Sequence, residues 1–487
     1  MTVQPPESGD APAAVAFSRL SRRGVLLGLS LPRLLAVAVS VATMVTALYL
    51  GGGTLLALAA PGWVGGVVLA WVPVSGRPLV EWIPIAARWC WRASAGQLVY
   101  RRRIVALRPA GTLALPGDAA SLREYVDPTT GTAMIHDPHA RTLTAVCQIE
   151  HSSFMLLDSA EQQRRVNAWG RVLATCCRSG RLAVLQVSER ALPDSGSGLA
   201  DWWRQRGTDD DSWAAATYRD LIARAGPAGE RHATTISIAL DLTAAARQVR
   251  AAGGGLRGAA AVLRQEMTTL TAALRTADLT PTGWLDPGQI AVVLRSAYDP
   301  AVAAALDRHG ELGRDLATAG PVAVTETWDR LRSDTGHHAV LWISEWPRSA
   351  VYPGFLAPLL LTSGTRRTLS VLYTPVRIDQ AARDLRRRRT EHLSDAAQRA
   401  RLGQIDDPVH TAEYQDILQQ EADLTAGHGI LRYTGLIAVT NTTADQLDTA
   451  IADIEQAAVQ ANCETRLLSG QQAQAFAAAA LPLCRQL

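Results

Sequence analysis

Lysine is absent from this chain of 487 residues, and all 48 of its basic residues are arginine. A nucleotide-hydrolysing P-loop of the GxxxxGK[ST] type needs a lysine ammonium to reach the β- and γ-phosphates. The sequence therefore excludes a P-loop ATPase site of this type. The glycine run 253–255 opens a helical pattern but follows no strand pattern, so we interpret it as a linker. The HExxH and GxSxG motifs of zinc peptidases and α/β hydrolases are also missing.

Cysteine is scarce, with six residues and no CxxC spacing, which is typical of small buried apolar side chains in a reducing compartment. Cys176 and Cys177 have no base nearby in the sequence. The stretch His136–His139 reads HDPH, but Asp-Pro starts turns and zinc needs four converging ligands. His337 and His338 are neighbours on a strand pattern, so their rings point to opposite faces. We predict no metal, no cofactor and no enzymatic activity.

Charged residues and histidine are missing from Leu34 to Gly76. About 20 apolar residues cross the hydrocarbon layer of a bilayer as a helix. This run is about twice as long, and the triplet Gly51–Gly53 interrupts it. Because backbone groups in lipid must be satisfied internally, we predict a transmembrane hairpin with helices at about 34–50 and 54–74. A signal peptide would have a shorter apolar region, and a buried hairpin of a soluble protein would have shorter helices.

Arginines flank this apolar run on both sides. Cytoplasmic flanks of membrane proteins carry the positive excess, so we predict a two-pass protein of the plasma membrane with both termini and the soluble body in the cytoplasm. Tryptophans after the second span suit a membrane–water interface. The residues predicted to set topology and anchoring are Arg22, Arg23, Arg33, Arg77, Arg101, Arg102, Arg103 and Trp82.

Beyond the linker at 110–117 the spacing of the apolar residues alternates between a period of 2 residues, typical of strands, and one of 3.6 residues, typical of helices. This alternation predicts an α+β body with ferredoxin-like strand–helix–strand layers and an inserted αα-hairpin at 378–426. Asp158 and Thr443 are predicted helix caps, and Trp342 and Trp346 share one face of a predicted strand. No strict internal repeat is visible. The predicted divisions are a disordered tail 1–18, a membrane region 19–109, and two soluble subdomains at 110–310 and 311–487.

Four consecutive arginines, Arg386, Arg387, Arg388 and Arg389, lie in the first helix of the predicted αα-hairpin. The run lacks the interleaved aromatic residues of single-strand nucleic-acid binders. We interpret it as a solvated face or as a docking face for an acidic partner, and we expect no direct contact with nucleic acid.

Three segments around the apolar run carry a resemblance to a known family: Gly28–Arg33 (GLSLPR), Gly76–Trp82 (GRPLVEW) and Tyr100–Arg103 (YRRR). They resemble the PrgI-like membrane subunit of type IV secretion and conjugation machines in its actinobacterial form. Ser344–Pro347 (SEWP), Gln398–Arg401 (QRAR) and Ala479–Leu483 (AALPL) are similar to the N-terminal, non-catalytic domain of the conjugation ATPase. The ATPase domain that follows in those proteins has no counterpart in this sequence.

The resemblance implies a membrane subunit fused to an adaptor domain, with the motor supplied by a separate conjugation ATPase. We therefore expect an inner-membrane scaffold of a DNA-transfer machine, associated with the bilayer, with this ATPase and with other channel subunits in a homo- or hetero-oligomer. Two alternatives remain open. One is a scaffold of a type VII (ESX-like) secretion system, and the other is a membrane-tethered hydrolase.

Overall fold

The computed structural model describes residues 2–3, 15–17, 30–74, 76–103, 111–151, 153–193, 197–208, 210–225, 230–308, 314–401, 408–425 and 429–487. The chain divides into two units. The smaller unit comprises Arg19–Leu98 with Ser469–Gln471, and the larger unit comprises Met1–Ser18, Val99–Leu468 and Gln472–Leu487. Most of the predicted tail 1–18, together with Arg22 and Arg23, lies outside the described residues. Within that tail, β1 (Thr2–Val3) pairs antiparallel with β2 (Val15–Ala16).

The smaller unit contains the apolar run. Its elements are α1 (Leu31–Leu58), α2 (Ala60–Trp71), the strand pair β3 (Pro73–Val74) and β4 (Arg77–Pro78), and α3 (Leu79–Ser94). α1 is long and apolar enough to cross a membrane, and 6% of its most apolar stretch is buried. Its helical backbone is interrupted at Gly51 and Gly52, and Gly52 has a φ of 59°.

The larger unit is built on one sheet of antiparallel strands flanked by helices, which makes it an α+β body. Its first half contains β5 (Val99–Arg101), β6 (Arg123–Val126), β7 (Ala133–Asp137), β8 (Thr142–Glu150), α4 (Ser159–Ser179), β9 (Leu182–Pro193), α5 (Ser197–Arg206), α6 (Trp213–Ala225), β10 (Glu230–Asp241), α7 (Ala246–Ala251), α8 (Gly255–Arg275), β11 (Thr280–Trp284), α9 (Pro287–Tyr298) and α10 (Ala303–Arg308).

The second half contains β12 (Ala323–Glu326), β13 (Leu331–Ser333), β14 (Gly336–Glu345), α11 (Ala357–Leu360), β15 (Arg366–Val376), α12 (Ile378–Arg401), α13 (Pro408–Thr425), β16 (Ile430–Asn441), α14 (Ala444–Gln460), β17 (Glu464–Leu467) and α15 (Gln472–Ala479). The predicted caps are present. The Asp158 carboxylate accepts from the backbone N–H of Glu161 at 2.8 Å, and the Thr443 hydroxyl accepts from that of Gln446 at 3.3 Å.

The two halves repeat one arrangement. The strand order β11-β8-β10-β9 in the first half corresponds to β17-β14-β16-β15 in the second. In each half a pair of helices, α5–α6 or α12–α13, lies between the second and third strands of this set. β9 pairs with β15, so the sheet continues through both predicted subdomains, and Ser188 lies directly opposite Ser370 at the junction.

Hydrophobic cores lie on both faces of the sheet. On one face, α4 and α8 cover the first half, while α11 and α14 cover the second. On the other face, α9, α15 and the segment 113–122 form a core that spans the junction. The prediction that Trp342 and Trp346 share a face is wrong, because they pack against cores on opposite faces. A β-bulge between Ile343 and Glu345 breaks the two-residue alternation between them.

Polar side chains in the centre of the sheet bind the C-terminal segment. The fully buried Gln186 donates from Nε2 to the carbonyls of Ala478 (3.1 Å) and Leu481 (3.0 Å), and its Oε1 accepts from the Cys484 N–H at 2.7 Å. The Ser370 hydroxyl donates to the Ala479 carbonyl at 2.6 Å. These bonds hold residues 478–484 across the junction between the halves.

Replacing Gln186 with leucine should remove these bonds and leave backbone groups of the C-terminal segment buried without partners. We expect Gln186→Leu to lower the free energy of unfolding by about 3 kcal/mol, since each unsatisfied buried group costs about 1–3 kcal/mol. Urea denaturation of the detergent-solubilised protein measures the change. The matched control is Gln419→Leu on the exposed side of α13, which should change the value by less than about 0.5 kcal/mol. Equal effects of the two variants would contradict this role of Gln186.

Candidate membrane anchor and docking surface

The two ends of the apolar run meet within the smaller unit. Ser30, immediately before α1, donates a hydrogen bond of 2.9 Å from its hydroxyl to the Glu81 carboxylate in the first turn of α3. These residues are 51 positions apart, so the chain leaves this point along α1 and returns to it after α2. Arg33 lies in the first turn of α1, and Arg77 lies in β4 just before α3.

Close approach between α1 and α2 depends on a glycine. A Cβ atom built on Gly66 would overlap the Ser40 hydroxyl, which donates to the Ala36 carbonyl at 2.7 Å. A Cβ atom on the neighbouring Gly65 would meet nothing within 4 Å. Small residues allow helices to approach closely in the absence of a hydrophobic driving force, as in lipid. Gly66 therefore lies at a point of close contact between the two helices.

α3 carries the tryptophans that follow the apolar run. Glu81, Arg88 and Arg92 lie on one stripe of the helix, seven and four residues apart, while Trp91 is 73% exposed. The Trp82 indole donates to the Val74 carbonyl at 3.0 Å, which joins α3 to the end of the apolar run. An amphipathic helix with tryptophan and arginine of this kind is suited to the membrane–water interface.

The arginine triplet predicted as a membrane flank begins the larger unit. Arg101 ends β5 and pairs with Ala323 of β12. The Arg102 backbone N–H donates to the Val322 carbonyl at 2.8 Å, and its guanidinium donates to the Thr318 carbonyl at 3.2 Å. Arg101 and Arg103 are exposed. Two members of the triplet therefore extend an edge of the sheet, a role that sequence reasoning did not indicate.

The four arginines Arg386–Arg389 occupy one turn of α12 and are all exposed. Arg387 pairs with Glu391 at 2.7 Å, and Arg389 pairs with Glu421 of α13 at 3.0 Å. His392 and Tyr414 also stack between the two helices, with ring centroids 5.1 Å apart. Arg386 and Arg388 present their charge on the outer surface.

The residues considered as metal ligands or nucleophiles take structural positions. The Asp137 carboxylate accepts from the N–H groups of His139 (2.9 Å) and Ala140 (3.1 Å), which forms the predicted turn. Burial raises the pKa of the Cys176 thiol to about 12 and that of Cys177 to about 11, which suppresses the reactive thiolate. Among the described residues, no group of three or more His, Cys, Asp or Glu side chains is placed to hold a metal ion.

A pocket of about 300 Å³ lies in the larger unit beside α4. Its lining is mainly apolar and includes the aromatic residues Phe17, Phe154, Trp169 and Phe355, and Arg165 also contributes. The Arg165 guanidinium is already paired with Glu161 at 3.0 Å. Sequence analysis missed this pocket, because its residues are distant in the chain and share no local pattern.

Neither protein-family models nor curated proteins give a match to this chain.

The buried His338 predicts a pH dependence of stability. Its Nε2 lies 2.6 Å from the Ser333 hydroxyl and its Nδ1 lies 2.9 Å from that of Thr440, with Phe476 packed on the ring. Burial, followed by the nearby Arg366 charge, lowers its pKa from 6.5 to about 3. The folded protein keeps the ring neutral where the unfolded chain binds a proton. The contribution of His338 to the free energy of unfolding is therefore fully present above pH 6.5 and is lost as the pH falls toward 3.

We expect the free energy of unfolding to fall by about 1.4 kcal/mol between pH 7.5 and 5.5 through this residue alone. Urea denaturation of the wild type and of His338→Gln at both pH values measures this change. Between pH 7.5 and 5.5 the free energy of unfolding of the variant should fall by about 1.4 kcal/mol less than that of the wild type. The pH 7.5 data control for packing lost by the substitution. Identical pH dependence in both proteins would show that His338 does not titrate in this way.

Proposed function

We propose that this chain is a non-enzymatic scaffold of the cytoplasmic membrane, in a conjugative or type IV secretion-like machine. It crosses the bilayer twice and docks a separate ATPase through its cytoplasmic body. The observation that carries this proposal is the return of the apolar run to its starting point, where Ser30 contacts Glu81. Its placement in a conjugation machine depends on the resemblance to PrgI-like subunits and to the non-catalytic domain of the conjugation ATPase.

The geometry of the apolar run supports two crossings. The helical backbone is interrupted at Gly51 and Gly52, which leaves a first helical stretch of residues 31–50. Ala59 bonds back to the Leu55 carbonyl at 2.9 Å, and Trp63 bonds to the Ala59 carbonyl at 3.3 Å. The second stretch is therefore nearly continuous over residues 53–71. These 19 residues at 1.5 Å each match a hydrocarbon layer of roughly 30 Å.

Orientation follows from the arginines. Both flanks of the apolar run are basic, with Arg33 before it and Arg77 after it, and arginine-rich flanks stay in the cytoplasm. α3 then lies along the inner membrane surface, with its tryptophans at the level of the headgroups. The body that begins at β5 extends into the cytoplasm.

The body supplies the docking function in this proposal. We assign each half a ferredoxin-like arrangement, because its four strands follow the order fourth-first-third-second with all neighbours antiparallel. The α12–α13 pair is an insertion into the second of these layers. Its exposed arginine turn is suited to an acidic surface of the ATPase, because rim charges of opposite sign speed association and fix orientation.

The exposed arginines of the α12–α13 pair predict that the complex with the ATPase depends on charge. Arg386→Glu with Arg388→Glu should reduce the amount of ATPase that co-purifies with the full-length protein from native membranes by about tenfold, since reversed charges repel the acidic partner surface. Quantitative mass spectrometry of the purified complex measures this. The matched control is the double variant Arg247→Glu with Arg250→Glu, which reverses two exposed charges on α7. Failure of any ATPase to co-purify with the wild type would overturn the proposed function.

The two-crossing anchor predicts that a large side chain at Gly66 separates the two membrane helices. In a Cys90→Ser background, Thr43→Cys and Gly62→Cys should form an intramolecular disulfide in membranes, because a Cβ atom on Gly62 lies 3.7 Å from Thr43 Cγ2. Adding Gly66→Leu should lower the yield about tenfold by forcing the helices apart, since overpacking costs about 1–3 kcal/mol. Gly65→Leu is the control and should leave the yield unchanged. Equal yields in both variants would contradict the packing of these helices.

A further inference from the structure

Phe17, which precedes the apolar run in the sequence, lies on the larger unit. Its ring stacks on Trp346 with centroids 5.2 Å apart and an interplanar angle of 23°. It also contacts Phe355 at 5.3 Å and Tyr433 at 5.9 Å, in both cases edge to face. These are the separations and angles of favourable aromatic pairs. We call Trp346, Phe355 and Tyr433 the aromatic cage.

The cage is assembled by features of the second half. The β-bulge in β14 turns Trp346 toward the same face as Phe355. Gly435 on the neighbouring strand leaves room for this ring, because a Cβ atom there would lie 2.7 Å from Trp346 Cζ2. Tyr433, two residues earlier on the same strand, packs at 5.4 Å and 79° against Trp346. Two regions distant in sequence, residues 346–355 and Tyr433, therefore converge on the Phe17 ring.

The other end of the apolar run is attached to the same unit. β5 begins at Val99 and pairs with β12, and the Tyr100 hydroxyl donates to the Ala114 carbonyl at 3.0 Å. Phe17 and Val99 thus belong to one folded body, with the apolar run between them. A folded body lies on one side of a bilayer, so the chain between these two points crosses it an even number of times.

We propose that the aromatic cage is a binding site for the N-terminal arm (residues 15–17) of the same chain, occupied by Phe17. This contact, together with the β5–β12 pairing, ties both ends of the membrane segment to the larger unit. The arm and the body must then lie on one side of the bilayer. The contact constrains topology independently of the arginine flanks. It requires both ends of the membrane segment to lie on the same side of the bilayer, but it does not specify which side. This inference rests on the membrane anchor of the proposed function.

Photo-crosslinking in native membranes tests the clasp. Phe17 is replaced by the aromatic photo-crosslinker p-benzoylphenylalanine in the full-length chain, and linked peptides are identified by mass spectrometry after irradiation. We expect links to the segments that contain Trp346, Phe355 or Tyr433, in protein that migrates as a monomer. The same probe at the exposed Val459 on α14 is the control and should give no link to the cage.

A cage variant tests whether the aromatic rings hold the arm. Phe355→Ala with Tyr433→Ala should lower the yield of the link to the segment around Trp346 by about tenfold, because two of the three ring contacts of Phe17 are lost. Phe355→Leu with Tyr433→Phe should restore part of the yield, and an unchanged circular dichroism spectrum of the alanine variant shows that it remains folded. Unchanged yield in the alanine variant would overturn the cage as the binding site.

The outcomes separate this inference from the proposed function. Links found only in dimers would show that the arm binds a second copy, and links elsewhere or none would show that the cage does not hold Phe17. Either result overturns the clasp. Labelling of tags on both termini of intact cells with an impermeant reagent then reports topology. Two protected termini without cage links would overturn the clasp alone, whereas one labelled terminus would overturn the clasp and the two-pass scaffold together.

Discussion

The buried polar side chains at the junction of the two halves are the constraint on which the larger unit depends. Gln186, Ser188 and Ser370 lie in adjacent central strands, are fully or almost fully buried, and contact one another. Burying such groups is unfavourable unless each finds a partner. The C-terminal segment supplies partners and has the same need, because the last carbonyls of α15 lack helical donors. Each set of polar groups satisfies the other, which fixes the C-terminal segment across the junction.

This exchange also explains how two similar halves form one sheet. β9 and β15 are equivalent strands, and they meet through a direct Ser188–Ser370 pair with hydroxyls 2.8 Å apart. Apolar side chains in place of Gln186 and Ser370 would leave the carbonyls of Ala478 and Ala479 without these donors. The repeated strand order is invisible in the sequence because alternating apolar residues satisfy the same strand position in many ways. The helices differ as well: α4 has 21 residues, whereas its counterpart α11 has four.

The glycines and the bulge decide where several close contacts form. Gly66 sets the approach of α1 to α2, and Gly435 leaves the space that Trp346 fills. In both places a missing side chain allows a close contact that a Cβ atom would prevent. The bulge in β14 redirects one tryptophan to the face on which it stacks with Phe17. Local departures from regular structure therefore create the surfaces proposed here for anchoring and for the clasp.

The amino-acid sequence by itself determined the features with local physical signals. The charge-free run from Leu34 to Gly76 predicts a membrane helix, the caps at Asp158 and Thr443 mark helix starts, and the alternating periods predict an α+β body. Only the tertiary structure decided the pairing of β9 with β15, the path of the C-terminal segment, the face occupied by Trp346 and the position of Phe17. These contacts join residues far apart in the chain. They depend on complementary shape and hydrogen bonding rather than on periodicity, so no local pattern encodes them.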